Sequence, residues 1–588
     1  MEQPSETRQN QTSPYGGEPL GTTQIRILHL DPAADDLRLT GTLETVALQQ
    51  EPVYEALSYE WGSPDKLCEL TTADGSVIHI TESLHQALLD LRHRNREDGR
   101  RTLWADGICI NQEDMLEREC QVSIMGRVYR QATRVIAYIG PAKDDSAAAI
   151  EIACKLWRLH NDPKAPALDD LEAADLADVG LPPLSHPGWA GLKPLCLRTW
   201  ASRCWCAQEF VCNENLSVMC GQSILPSWSV LPVFIRLCFL RQLPAVLSPS
   251  TVEDTGSLRD CLSSLLVLRT VLLRRASWVD INLWYLLTRF HPFRASDPRD
   301  KIYSVLGHDE DKTHLDISVD YTISAERLYT IVAARIIKKH GDPKFLISNL
   351  HQKTLSLPSW VPDWSTWHFG SGAGGVAFER THLAAGTTSS RMVVDENSGR
   401  LEVSGCLVDE VDWVGERILP HYVTHDGDIA ARRQIWIEQQ LEIVRKLEPY
   451  PDGSSDGTSV LFRTLVANTT HQDTPANETY VRYFEAHMNV TDDTPEEQKE
   501  MARKFCDAVR SRSRWRSLSS TRRRYFGALP QTTRVGDLVC MFHGARHLFV
   551  LRPKGPDYTY VGHAYVHGLM RGEILKADWY HERTFVLV

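Results

Sequence analysis

The sequence predicts an α/β protein. It opens with a doubly wound N-terminal domain on a parallel sheet, continues with a helical segment and closes with an α+β region. Three observations carry this. Leu103-Trp104-Ala105 is a short apolar run that ends at Asp106 and passes into a polar loop holding Gly107, Asn111 and Gln112. Leu116, Cys120, Ile124, Val128 and Ala132 then recur every four residues, with Met125 and Tyr129 beside them. That is the period of a helix with one buried face. Val135 to Gly140 follows as a second apolar run bounded by Gly and Pro. Strand, loop, helix and strand make a βαβ unit, with a right-handed crossover and parallel strands. Ligands of such sheets sit outside the carboxyl ends of the strands. Asp106, Asn111 and Gln112 fall at that place.

In chain order, residues 1–22 are rich in Gln, Ser, Pro and Gly and are expected to be a disordered tail. Ile25–Leu30 alternates as a first strand. Val53–Gly62 is a stronger one, ending in the turn Trp61-Gly62-Ser63-Pro64-Asp65. Leu70–Ile80 reads as a hairpin around Asp74-Gly75. Leu84, Leu88 and Leu91 mark a helix capped by Thr81 or Ser83. Asp114 or Asn111 caps the helix that follows Gln112, and Glu117 and Glu119 suit its first turn. Residues 141–188 form an insertion with one helix, Ala147–Leu159, and an acidic stretch holding Asp169, Asp170, Glu172, Asp175 and Asp178, which reads as a solvated surface. Trp189–Cys212 regains helical spacing, with Trp205, Glu209 and Cys212 on one face. Leu216–Gly221 closes the region as a strand.

The boundaries are therefore a tail at 1–22, an α/β domain at 23–225, a mostly helical region at 226–365 and an α+β region at 366–588 with a β-rich end. Asp297–Gly307 reads as a turn entering a helix. Leu357–Trp364 is an aromatic-proline loop.

Composition excludes several classes. The 588 residues carry a net charge of -12, which disfavours nucleic-acid binding by the whole molecule. The N-terminus has no apolar leader, and Leu262–Leu273 carries Arg269 and is too short to span a bilayer. Fourteen cysteines in a leaderless chain suggest reduced thiols and a cytoplasmic location. No metal is expected. Cys204 and Cys206 lack a paired Cys-x-x-Cys, and His543/His547 and His563/His567 lack a helical His-Glu-x-x-His setting. Neither Gly-x-Gly-x-x-Gly nor a Walker-type lysine loop occurs. The basic run Arg510, Arg512, Arg514, Arg516, Arg522, Arg523 and Arg524 reads as a mobile, solvated loop balancing nearby acids, with a nuclear signal or a nucleic-acid contact as the alternative.

Three segments together resemble the heterokaryon-incompatibility (HET) domain of filamentous fungi. They are Tyr54-Glu55-Ala56-Leu57-Ser58-Tyr59-x-Trp61-Gly62; Leu103-Trp104-x-Asp106-x-x-Cys109-Ile110-Asn111-Gln112, continuing through Glu117-Arg118, Gln121, Met125 and Tyr129; and Arg203-x-Trp205-x-x-Gln208-Glu209. The motif core covers about residues 50–222. The HET domain is regarded as a distant relative of Toll/interleukin-receptor (TIR) domains, which implies a TIR-like, flavodoxin-like fold. Tyr54–Tyr59 is similar to the first-strand box of TIR domains. Ser202-x-x-Trp205-Cys206-x-x-Glu209-Phe210 is similar to the helix that carries the glutamate of NAD-cleaving TIR domains.

The resemblance implies non-self recognition that triggers programmed cell death between fungal cells. One implied mechanism is NAD cleavage, with NAD as substrate and no resident cofactor. Glu209 is then the catalytic carboxylate that stabilises charge on the ribose. Trp61 or Trp205 stacks on a flat ring, Arg118 or Arg203 pairs with the pyrophosphate, and Tyr59, Gly62, Asp106, Asn111 and Gln112 line the pocket. The alternative is a non-catalytic module that self-associates or binds a protein partner. In that reading Glu209 only pairs with Arg203 and the tryptophans are core.

Overall fold

The computed structural model describes residues 14–16, 18–32, 38–94, 99–166, 176–225, 264, 267, 282–307, 315–348, 353–366, 381–418, 427–453, 456–470, 474–490, 494–513 and 515–588. The chain divides into two units, Met1–Ile323 and Ser324–Val588. The Leu-rich run at 257–273, apart from two residues, and the acids Asp169, Asp170, Glu172 and Asp175 lie outside the described residues.

The first unit is built on nine strands: β1 (Gln24–Leu30), β2 (Leu39–Ala47), β3 (Glu55–Tyr59), β4 (Cys68–Thr72), β5 (Val77–Ile80), β6 (Arg101–Trp104), β7 (Arg134–Tyr138), β8 (Leu216–Cys220) and β9 (Ser223–Leu225). Their order is β5-β4-β2-β1-β6-β3-β7-β8-β9. Its centre, β6-β3-β7-β8, is parallel. These strands are largely buried, as strands covered on both faces are, with polar residues mainly at their starts. Numbered along the chain, the four stand in the order 2-1-3-4.

The parallel sheet carries antiparallel strands at its flanks, the expected hairpin at Asp74-Gly75 among them. β1 runs antiparallel to β6 and to β2, and β4-β5 and β8-β9 are antiparallel hairpins. The first hairpin turns at Gly75, whose φ of +84° no L side chain adopts easily. β2 was not legible in the sequence, because its polar residues break the alternation of a half-buried strand.

The helices between parallel strands follow the sequence closely at first. α1 (Glu82–Arg94) starts where the Thr81 hydroxyl accepts from the Leu84 N–H at 3.3 Å. After β6 the loop contains a short turn, α2 (Asp106–Cys109), and then α3 (Met115–Gln131). Asp114 caps α3 by accepting from the Glu117 N–H at 3.0 Å. Glu117 itself is buried, and its carboxylate takes both Nη atoms of Arg26 at 2.5 and 3.1 Å. It also accepts from the N–H groups of Leu20 (3.1 Å) and Asn111 (2.7 Å). That carboxylate orders part of the expected tail: Leu20 is buried, and Tyr15 lies 5.0 Å from the Arg26 guanidinium.

The insertion holds α4 (Ser146–Asn161), and the expected helix over 189–212 is broken into three pieces. α5 (Pro187–Cys196) is followed by a 3-10 turn at Thr199–Ser202 and by α6 (Cys206–Val211). The unit ends with α7 (Leu283–Arg289) and α8 (Asp300–Leu306). α8 packs on α3 through glycines: a Cβ at Gly126 would stand 2.8 Å from the Gly307 Cα.

The second unit opens with α9 (Ala325–His340) and becomes β-rich, as expected. Its strands are β10 (Met392–Asp395), β11 (Arg400–Arg417), β12 (Arg516–Thr521), β13 (Phe526–Pro530), β14 (Leu538–Phe542), β15 (Leu548–Lys554), β16 (Asp557–Val566) and β17 (Glu582–Leu587). The order β11-β12-β13-β16-β15-β14 returns to β11, so six strands close into a barrel without free edges. Four helices, α10 (Gly427–Lys446), α11 (Gly457–Leu465), α12 (Glu478–Asn489) and α13 (Glu496–Arg512), share an apolar core with Leu518 and Phe526.

The Arg-rich run is not the mobile loop expected. Arg510 and Arg512 lie at the end of α13, Arg516 opens β12 and Arg522 to Arg524 follow it, while Arg514 lies outside the described residues. Arg522 pairs with Glu410 at 2.6 Å, and Arg523 lies 4.4 Å from the Trp579 ring. Arg516 is buried: it donates to the carbonyls of Ala528 (3.2 Å) and His563 (2.7 Å) and to His563 Nε2 (2.5 Å). The ring of His547 stands 5.5 Å from both His563 and His382. All three imidazoles are buried.

Candidate functional site

A cavity of about 520 Å³ opens in the first unit at the carboxyl ends of β3 and β6. This is where a parallel sheet presents a ligand site, because the loops leaving neighbouring strands diverge there. The loop after β3 contributes Glu60, Trp61 and Gly62. The loop after β6 contributes Asp106, Ile110 and Gln112, and α3 contributes Arg118, Val122 and Met125. The 3-10 turn and the start of α6 bring Ser202, Arg203 and Trp205. The far wall comes from Arg294 to Asp297, Asp300 and Tyr321.

Most of its polar groups are held by named partners. The Trp61 indole N–H donates to Asp106 Oδ2 at 2.9 Å, and the Gly107 N–H donates to Oδ1 at 2.8 Å. Gln112 Nε2 donates to the Asp106 carbonyl at 2.8 Å. Burial pushes the Asp106 carboxyl above its usual range, opposed by Arg203 and the indole. Arg203 donates to the Tyr59 carbonyl. The Trp205 indole donates to Asp300 Oδ2 at 3.1 Å, and the Tyr321 hydroxyl donates to Oδ1 at 2.7 Å. Burial raises Asp300 to about 6 against these two donors. Gly62, at a φ of +66°, lets the chain turn at the cavity edge.

Seven expected residues are brought together here: Trp61, Gly62, Asp106, Gln112, Arg118, Arg203 and Trp205. Three are not. Tyr59 is buried behind Asp106. Asn111 caps the loop by accepting from the Glu113 N–H at 3.2 Å. Glu209 is 2% exposed and absent from the cavity lining. Its carboxylate accepts from the Ser58 hydroxyl, and at 3.4 Å from the Tyr129 hydroxyl. Ser58 in turn accepts from the Trp200 indole at 2.7 Å. Burial pushes Glu209 up, and Arg203 is the chief opposing charge.

The expected common face of Trp205, Glu209 and Cys212 is corrected too. Trp205 keeps helical register with Glu209, whose N–H donates to its carbonyl at 3.4 Å, but the Trp205 indole is drawn to Asp300 at the cavity while Glu209 is buried on Ser58 and Tyr129. Sequence reasoning missed the wall at 294–300 and Tyr321. Its visible signal was the dense charge of Asp297-Pro298-Arg299-Asp300 at a helix start, far along the chain from the other motifs.

Residues 54–209 match the family model described as Heterokaryon incompatibility protein (HET). The chain thus carries a segment similar to the HET domain. The HET segment ends at Glu209, so the cavity's far wall lies beyond it. Residues 466–588 match the Het-6 beta-barrel domain and hold β12 to β17. The chain is also 26% identical to Heterokaryon incompatibility protein 6, OR allele, of Neurospora crassa, over 96% of each protein. No solved structure matches it. Among the described residues, no group of three or more His, Cys, Asp or Glu is placed to hold a metal ion. Among them, no helix is long and apolar enough to cross a membrane.

Proposed function

We propose that this protein acts in fungal non-self recognition, in the cytoplasm, and that its cavity takes NAD and cleaves the nicotinamide–ribose bond to trigger cell death. The observation that supports it is the cavity itself, where two tryptophans, arginines and carboxylates converge at the ends of β3 and β6. The parallel order 2-1-3-4 is the flavodoxin-like order and supports a TIR-like fold. Cleavage builds positive charge on the sugar, and a carboxylate beside it lowers that barrier. In this reading Asp106 faces the ribose, and Trp61 or Trp205 stacks on the flat ring. Glu209 works at one remove, as a positioning residue that holds Arg203.

The test is NAD turnover by the full-length protein, alone and forced to oligomerise. Asp106→Asn is expected to abolish turnover and keep NAD binding. Glu209→Gln is expected to keep part of both, because the amide still accepts from Ser58.

The burial of Glu209 favours a second reading, a module that signals by self-association or by binding a protein partner. Concentration-dependent association with no loss of NAD would establish it over the first.

A further inference from the structure

One charged side chain of the cavity, Arg118, has no direct ion pair among the described residues, although its charge acts on Asp297 and Asp300 nearby. Asp297 is paired with Arg299 at 2.7 Å. Asp300 takes two donors and Asp106 takes the Trp61 indole. Glu60 accepts from the Thr199 hydroxyl. Arg203 donates to a carbonyl and lies beside Glu209. Arg118 differs. Its guanidinium carbon lies 4.6 Å from the centre of the Tyr321 ring. One Nη reaches the Met115 sulfur at 3.2 Å, and its buried Nε reaches no acceptor. Among the described residues, no carboxylate lies within ion-pair distance of Arg118.

The guanidinium is planar in itself, and the aromatic ring beside it limits where its N–H edge points. That is the geometry for a two-pronged hold on an oxyanion. The platform is itself fixed. The Tyr321 hydroxyl donates to Asp300, and its backbone N–H donates to Glu119 Oε1 at 2.7 Å, one residue beyond Arg118 on α3. Tyr303 packs edge-on against the ring at 5.1 Å. Tyr321 and Asp300 both lie outside the matched segment 54–209.

We propose that Arg118 binds a diphosphate in this cavity, and that Tyr321 and Asp300, from beyond the HET segment, are the positioning residues that orient its guanidinium. This rests on the cavity being a ligand site and not on cleavage. The HET site is then complete only when the chain to Tyr321 is docked.

Inorganic pyrophosphate is the probe. Binding to the full-length protein is read by calorimetry and by tryptophan fluorescence, since Trp61 and Trp205 line the cavity. Saturable binding is expected. Arg118→Lys and Tyr321→Leu should each weaken it about tenfold, the loss of the planar fork or of its platform, while Tyr321→Phe keeps the ring and stays within about threefold. Circular dichroism checks that each variant folds. Should Tyr321→Leu fail to fold, Arg118→Lys set against Tyr321→Phe decides alone. No binding by the parent protein, or equal binding by parent and Arg118→Lys, overturns the proposal. NAD turnover is followed in parallel. Pyrophosphate binding without turnover overturns only the cleavage reading, and turnover without pyrophosphate binding overturns only this one.

Discussion

Acidification from pH 7.5 to 5.5 is expected to destabilise the barrel unit steeply. His382, His547 and His563 are buried against one another and against Arg516. Burial holds His382 down to about 4, aided by Arg571, Arg512 and Arg516 and opposed by the Ala467 carbonyl. Burial likewise holds His547 and His563 well below the usual value. Arg516 acts on both, and Arg546 acts on His547. His563 Nε2 accepts from Arg516, so protonating it breaks that bond and sets two cations together. The folded values lie below the unfolded one. Their stabilisation is therefore full above about 6.5 and is lost as the pH falls below it, for His382 down to about 4. At pH 5.5 His382 alone favours the unfolded chain by a little over ~1 kcal/mol, and His547 and His563 add to that in the same direction, against the ~5–15 kcal/mol of a typical domain. Hydrogen exchange of β12, β15 and β16, corrected for intrinsic rates, measures it at both pH values. His563→Gln should reduce the pH slope by about a third. Equal protection at pH 7.5 and 5.5 would falsify the assignment of these imidazoles as neutral.

Other outcomes follow from single contacts. Glu117→Ala leaves Arg26 buried without its carboxylate and should cost about 3–5 kcal/mol, read as a lower urea midpoint of the first unit. Gly126→Ala sets a methyl 2.8 Å from the Gly307 Cα and should cost about 1–3 kcal/mol; an unchanged melting temperature would mean that α3 and α8 stand further apart. Asp114→Ala removes the cap of α3 and should cost about 1 kcal/mol in the same denaturation assay.

What the sequence made legible is what local pattern determines. β3, the hairpin at Asp74-Gly75, α3 with its Asp114 cap and β7 each announce themselves through period, turn chemistry or capping. β2 did not, because Thr40, Thr42, Glu44 and Thr45 leave too few apolar positions to count, and its place comes from pairing with β1. The break between α5 and α6 escaped for a different reason. Trp200 and Trp205 both count as apolar, yet one indole is buried on Ser58 and the other faces Asp300 at the cavity. The burial of Glu209 depends on Ser58 and Tyr129, donors from β3 and α3 that no local spacing connects to it. Asp300 and Tyr321 reach the site by docking alone, so only coordinates could place them beside Arg118.

Eighteen residues of β11 touch β10, β12, β14 and β17 in turn, and β17 comes from the far end of the chain. β10 precedes β11, but a ribosome delivers β12, β14 and β17 only about a hundred residues or more after it. During that interval a long strand waits with hydrogen-bonding groups unpaired, the state in which chains most readily stick to one another. Synthesis of this protein thus contains an interval in which chaperone supply, more than final stability, governs the yield of closed barrels.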